Sequence, residues 1–278
     1  MKFCHLSLFI GVLAAFVPAS GSAFVATFPS AGAGLFKPQG ADVNGIDGWT
    51  VGVDGAPSDN GAIPGGHLAW VSTYLSSTAV ALGGVYNYPA TASPATVLLS
   101  HAAPGELQFA DFSVKFNIQP STENTDPAFR DGFGFTFRDK DNLNLLTISL
   151  VPVVSDAMDA YQVCYTVGAG SRTAAQDGNN DPMFIYQYGP YTMNLTLLAN
   201  GANPTFSGTV IGTNTRTFTG VATNMGATSI ARVGAEWNVT DAGDNYIVFD
   251  NISLIPEPSS ALLFGMAGLG LALRRRRA

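Results

Sequence analysis

Charge is scarce in this 278-residue chain, with Asp, Glu, Lys and Arg together making up 12% of it. Its two cysteines are Cys4 and Cys164, and its three histidines are His5, His67 and His101. Cys4 and His5 fall inside an apparent leader. What remains holds a single thiol, which excludes an internal disulfide. Cys164 alternates with its neighbours in a strand-like run and reads as a buried, inert thiol. His67 and His101 lack metal-ligand spacing, so zinc is not expected. Between leader and tail the only glutamates are Glu106, Glu123 and Glu236. Glycoside hydrolysis needs an acid and a second carboxylate at a set separation, and no closely spaced acidic strand motif supplies them. The body is therefore expected to be non-catalytic, structural or glycan-associating, with a hydrolase of extracellular polysaccharide as the alternative. Helical signals are missing too, since no stretch of ten body residues combines helical periodicity with caps.

Both ends of the chain carry addresses. Met1-Lys2 supplies a positive start, Leu6 to Val17 an apolar core, and Ala19 to Ala23 small residues for cleavage, best placed after Ala23. Residues 1–23 are thus expected to be a signal peptide. At the other end, Pro256-Glu257-Pro258 precedes an uncharged run from Ala261 to Leu273 and four arginines, Arg274, Arg275, Arg276 and Arg277. The prolines hold the chain extended and remove backbone donors. The run would make about 20 Å of helix, short for a full span. The adjacent guanidiniums, however, snorkel to headgroups and hold that end in the cytoplasm.

These three parts, over residues 255–278, resemble the PEP-CTERM sorting domain of Gram-negative bacteria that make exopolysaccharide. The resemblance implies an exosortase-type membrane peptidase as partner, acting near the Pro-Glu-Pro. It also implies a transient inner-membrane anchor and then the cell surface or the exopolysaccharide matrix of a biofilm. It says nothing about the body.

The body, residues 24–254, is long enough for one domain. Without Lys2, Glu257 and the four terminal arginines, the formal charge falls from -7 to -11, which argues against nucleic acid or anionic lipid as partners. Short runs rich in Val, Ile, Thr, Phe and Tyr, punctuated by Gly and Asn, predict strands throughout. Phe133, Phe135 and Phe137 alternate, Asp139 to Asn142 make a polar turn, and Leu146, Ile148 and Leu150 return as the second arm of a hairpin. From Leu107 to Ile118 the alternation slips at Ala110-Asp111, which predicts a bulge in one long strand. Ten or more such strands predict an all-β, two-sheet jelly-roll sandwich, flanked by the signal helix and a short transmembrane helix. The segments 131–139, 232–237 and 249–254 are similar to concanavalin A-like lectin and laminin-G sandwiches, and also fit galactose-binding-like jelly rolls.

Candidate sites are few. Asp177-Gly178-Asn179-Asn180-Asp181 begins like a calcium loop, but Pro182 stands where such a loop needs glycine, so an Asx turn is the better reading. Asp250, alternating with Tyr246, Val248, Ile252 and Leu254, needs donors or a cation, and with Asp241 and Asp244 is a candidate for structural calcium. Trp49 and Trp70, with Tyr86, Tyr88 and Tyr188, are candidate sugar-stacking rings, although a tryptophan in a sandwich commonly serves the core. Thr213, Thr215, Thr217 and Thr219 form one row on a strand, and an ice-binding plane is the third functional alternative. In fractionated cells expressing a tagged copy, the full-length chain is expected in the membrane fraction and a form shortened at both ends outside. An uncut chain in the cytosol would overturn this reading of the termini.

Overall fold

In the computed structural model the described residues are 24–26, 42–45, 47–54, 69–72, 75, 79–83, 95–107, 109–120, 130–153, 160–187, 189–198, 205–221, 229–239 and 245–255. They form sixteen strands and, among themselves, no helix. In chain order these are β1 (Phe24–Ala26), β2 (Thr50–Asp54), β3 (Ala69–Ser72), β4 (Ala79–Gly83), β5 (Ala95–Leu107), β6 (Phe109–Pro120), β7 (Gly132–Arg138) and β8 (Asn144–Pro152). They continue as β9 (Ala160–Val167), β10 (Thr173–Ala174), β11 (Phe184–Tyr186), β12 (Tyr191–Leu198), β13 (Thr205–Ile211), β14 (Thr215–Val221), β15 (Ile230–Val239) and β16 (Asn245–Ile255). The signal segment, the Pro-Glu-Pro tail with its arginines, Asp241, Asp244, Tyr86, Tyr88, Tyr188 and His67 lie outside the described residues.

Every pairing is antiparallel. One sheet runs β14-β13-β12-β6-β16-β4-β3, with β1 on β16, and the second runs β10-β9-β8-β7-β15-β5-β2, with β11 on β9. The two meet through aromatic rings. Phe112 and Phe116 of β6 and Phe249 of β16 reach Phe135 and Phe137 of β7, with Phe112 and Phe137 centroids 5.0 Å apart and Phe116 and Phe135 5.4 Å apart, both edge-on. Such contacts add to the burial of each ring by about 0.5–1.5 kcal/mol per pair. At the β13-β14 edge, Gly208 and Gly220 leave room for Phe218 and Phe206, because a Cβ at either glycine would fall inside the opposite ring.

The all-β, two-sheet sandwich expected from the sequence is what the chain forms, and the Phe133–Phe137 hairpin is its β7-β8 pair. Two expectations need correction. The phase slip near Ala110 is not a bulge in one strand. β5 ends at Leu107 in the second sheet and β6 starts at Phe109 in the first, and β6 pairs with β12 in unbroken register from Phe109 to Phe116. A chain that changes sheets must face the shared core from the other side, and the alternation shifts accordingly. The other correction concerns Asp250. The register of β16 on β6 breaks between Asp250 and Ser253, so Tyr246, Val248 and Asp250 share the outer face while Ile252 and Leu254 turn into the core.

Below the aromatic wall, the Trp237 indole N–H donates to Asp131 Oδ2 at 2.7 Å, with both residues fully buried. Asp131→Ala leaves that donor without its acceptor. It is expected to cost about 1–3 kcal/mol, read as a lower urea midpoint at unchanged m-value.

Candidate functional site

Pairing makes the outward residues of the second sheet easy to enumerate. On β15 they are Arg232, Gly234, Glu236 and Asn238, and their inward neighbours Val233, Ala235 and Trp237 belong to the core. Across from them stand Thr136, Gly134 and Arg138 of β7, and Thr96, Leu98 and Ser100 of β5. Thr50, Gly52 and Asp54 of the edge strand β2 extend the same face. A groove of about 510 Å³ crosses it, bounded by Asp54 and Val53 at one rim and by Asn142 and Asn144 of the β7-β8 turn at the other. Glu236, Asn238, Arg138, Thr96 and Thr147 line it between.

Glu236 is the unusual member. It is only 9% exposed, and Oε1 accepts from Asn238 Nδ2 at 3.1 Å. Burial pushes its carboxyl above the ordinary range. The Asn238 hydrogen bond and the Arg138 and Arg172 guanidiniums oppose that rise and are outweighed. Gly134 makes the space, since a Cβ there would come within 3.1 Å of Glu236 Oε1 and 2.9 Å of the Ile148 carbonyl. Asn238 Oδ1 in turn accepts the Thr96 hydroxyl at 3.1 Å. The turn that holds Arg138 is itself held by Asp139, whose Oδ1 accepts from the amides of Asp141 and Leu143 at 2.9 and 2.8 Å. Asn142 takes the left-handed conformation at φ 63° that such a turn requires.

The residues singled out by sequence fall elsewhere. Trp49 is fully buried and meets His101 edge-on at 5.3 Å, and Trp70 is 4% exposed in a second apolar cluster with Ala81, Val248 and Tyr246. Neither ring presents a face for a sugar, which corrects the stacking expectation. Asp250 pairs across strands with Lys115, so a cation already faces it. Among the described residues no group of three His, Cys, Asp or Glu side chains is close enough to hold a metal. His101 sets both ring nitrogens against backbone carbonyls, of Ala102 at 2.6 Å and Asp47 at 2.7 Å. The Asp177 loop is an Asx turn, with Oδ1 accepting from the Asn179 amide at 2.9 Å and the Asp181 amide at 3.2 Å. Cys164 is buried, and burial pushes its thiol up against the pull of Arg172. The row Thr215, Thr217, Thr219 is exposed and is one of three, beside Thr209 and Ser207 of β13 and Thr192, Asn194 and Thr196 of β12. Twist of about 20–25° per strand keeps such an array from being planar.

The family profile of the PEP-CTERM protein-sorting motif matches residues 254–277. The carboxyl-terminal segment is a PEP-CTERM sorting motif. It implies export and processing by an exosortase at the membrane. No curated protein matches the chain by sequence. Among solved structures, a Bauhinia forficata lectin in complex with GalNAc aligns at TM-score 0.49 and 9% identity, over 84% of this chain and 97% of that one. A Lotus tetragonolobus seed lectin aligns at 0.46 and 9%, over 85% and 100%. An endo-1,3-beta-glucanase from Streptomyces sioyaensis aligns at 0.48 and 11%, over 85% and 96%. At these identities the likeness concerns the fold alone.

Glutamate in the middle of β15 was the missed signal. Sequence reasoning weighed Glu236 only as half of a catalytic pair, although a carboxylate flanked by Ala235 and Trp237 in a central strand must face outward or be neutralised. Its raised pKa means that the folded state keeps a proton which the unfolded chain releases. That contribution to stability is complete below the ordinary glutamate value and is lost as pH rises through the folded one. Glu236→Gln is expected to leave Tm unchanged at pH 3.5 and to raise it at pH 8, measured by calorimetry. An equal shift at both pH values would overturn the assignment.

Proposed function

We propose that this exported protein is carried by its tail to the cell surface or extracellular matrix, where the sandwich binds a glycan strand in the groove on the outer face of its second sheet. One observation carries the reading. The groove gathers a carboxyl held toward its neutral form, three amides and two hydroxyls over a floor opened by glycine. Amides, hydroxyls and a protonated carboxyl are both donors and acceptors, which is what sugar hydroxyls require. The groove crosses several neighbouring strands on the outer face of the sheet, so a stretch of polymer can lie in it. The sorting motif supports the setting, since export brings the protein to where polysaccharide is found.

A second reading keeps catalysis in play, because Asp54 shares the groove with Glu236. A carboxyl raised by burial suits a general acid, and an exposed carboxylate suits a base. Asp54 pairs through Thr96 to Asn238, two strands from Glu236 and one pair along, which sets their Cα atoms about 12 Å apart by strand geometry.

Asn238→Ala should weaken retention on an immobilised polysaccharide about tenfold, a loss of ~1.4 kcal/mol, while Thr217→Ala on the opposite sheet should not. Binding unaffected by Asn238→Ala would overturn the groove as the site. Reducing ends released by the wild type but not by Glu236→Gln would establish the second reading.

A further inference from the structure

Two arginines stand on the face that carries this groove, Arg138 in its lining and Arg232 beside it. Arg138 of β7 and Arg232 of β15 are a directly paired couple, so their Cα atoms lie about 4.5–5.5 Å apart and their side chains leave the sheet on the same face. Like charges placed so repel each other. Among the described residues neither has a carboxylate within ion-pair distance. Arg138 donates Nη1 to the Asn142 carbonyl at 3.0 Å and keeps its Nε buried without a hydrogen-bond partner. Arg232 donates Nη2 to the hydroxyls of Thr50 and Ser100, each at 3.0 Å. Neutral acceptors thus hold both guanidiniums in place without cancelling their charge. Arg172, just before β10, adds a third positive field on this face, since it acts on both Cys164 and Glu236. Residues 24–254 contain eight Lys and Arg in all, and three of them lie on this face although the chain is acidic.

A fixed cation with only neutral acceptors favours an anion, and a guanidinium fork matches the two oxygens of a carboxylate. We propose that the groove takes a carboxylated, uronate-bearing polysaccharide, with Arg138 pairing with a sugar carboxylate, Arg232 beside the groove adding to the positive field, and Glu236, Asn238 and Thr96 meeting hydroxyls of the adjoining sugar. This rests on the glycan-binding reading above and adds the chemical class of the ligand. Glu236 fits the assignment because its burial keeps a negative charge from forming beside the bound carboxylate. The titratable and charged groups facing it are Arg138 on β7, Arg232 on its own strand, Arg172 before β10, Cys164 on β9 and Asp54 on β2. β5 and β8 bring only Thr96, Leu98, Ser100, Thr147 and Ser149 to that face.

The test is affinity electrophoresis or calorimetry of the exported domain with polygalacturonate, neutral dextran and dextran sulfate at matched ionic strength. Polygalacturonate is expected to bind at least tenfold more tightly than either of the others. Arg138→Ala should lower its affinity about tenfold, and Arg232→Ala, beside the groove, should lower it by less. Asp54→Asn changes an exposed rim residue without disturbing the sheet, and should raise that affinity two- to threefold. Polygalacturonate binding should also weaken as pH rises through the raised value of the Glu236 carboxyl, and Glu236→Gln should abolish that dependence. Equal affinity for dextran or dextran sulfate, or no response to Asp54→Asn, would overturn the uronate assignment and leave glycan binding standing. A protein that binds none of the three and no other glycan would remove both.

Discussion

Register on β15 is the constraint from which the rest of the molecule follows. This strand sits inside the second sheet between β7 and β5, and its Val233, Ala235 and Trp237 are fixed inward by burial against the aromatic wall. A slip of one residue would drive Arg232, Glu236 and Asn238 into that wall and put Trp237 in water. Burying two charges there without partners would cost far more than the sheet gains by pairing. Gly234 tightens the lock, since a Cβ there would fall 2.2 Å from the Leu99 carbonyl of β5. The outward groups of the groove are therefore held by the same packing that closes the core, and they need no loop to position them.

A net charge of -7 and an arginine-rich face are compatible because fields in salt water are local. At physiological ionic strength a charge is felt over about 8 Å, so the carboxylates scattered over the remaining surface do little to a ligand held at Arg138. Net acidity still acts at long range, where it slows the approach of polyanions at low salt and keeps copies of the protein apart. The composition argument against nucleic acid is thus an argument about the whole surface, and it does not describe this groove. Holding Glu236 toward its neutral form extends the same logic, because an ionised carboxylate there would oppose the arginines within their own range.

Much of the fold was legible because β-alternation is a local signal. Phe133, Phe135 and Phe137 announced β7, and the polar turn announced β8, since each arm repeats with period two and the reversal is chemically marked. The misreadings share one cause. At residues 107–109 the chain passes from one sheet to the other, and at Asp250–Ser253 the register of β16 shifts. Either event inverts the relation between parity and burial without changing the residue types. Trp49 and Trp70 were ambiguous for a related reason, since an indole serves a core or a sugar equally well and only the tertiary structure decides. The groove was the least legible part. It is assembled from β2, β5, β7, β8 and β15, which are separated by up to about 180 residues in sequence and joined by no shared motif. Glu236 was nonetheless visible as a charge inside an apolar run.

The ends of the domain add a further consequence of topology. Phe24, the first residue after the expected leader cleavage, pairs with Leu254, and Val25 with Ser253. The chain therefore enters and leaves the sandwich side by side, on β1 and β16 of the first sheet. Only residues 256–260 separate β16 from the apolar run, at most about 18 Å of extended chain. The two cuts expected from the sequence, after Ala23 and near Pro256-Glu257-Pro258, would both flank this one strand pair. The groove lies on the outer face of the other sheet. Loss of everything before Phe24 and after Ile255 takes away none of its lining residues, so the tail governs where the domain goes without taking part in what the groove can hold.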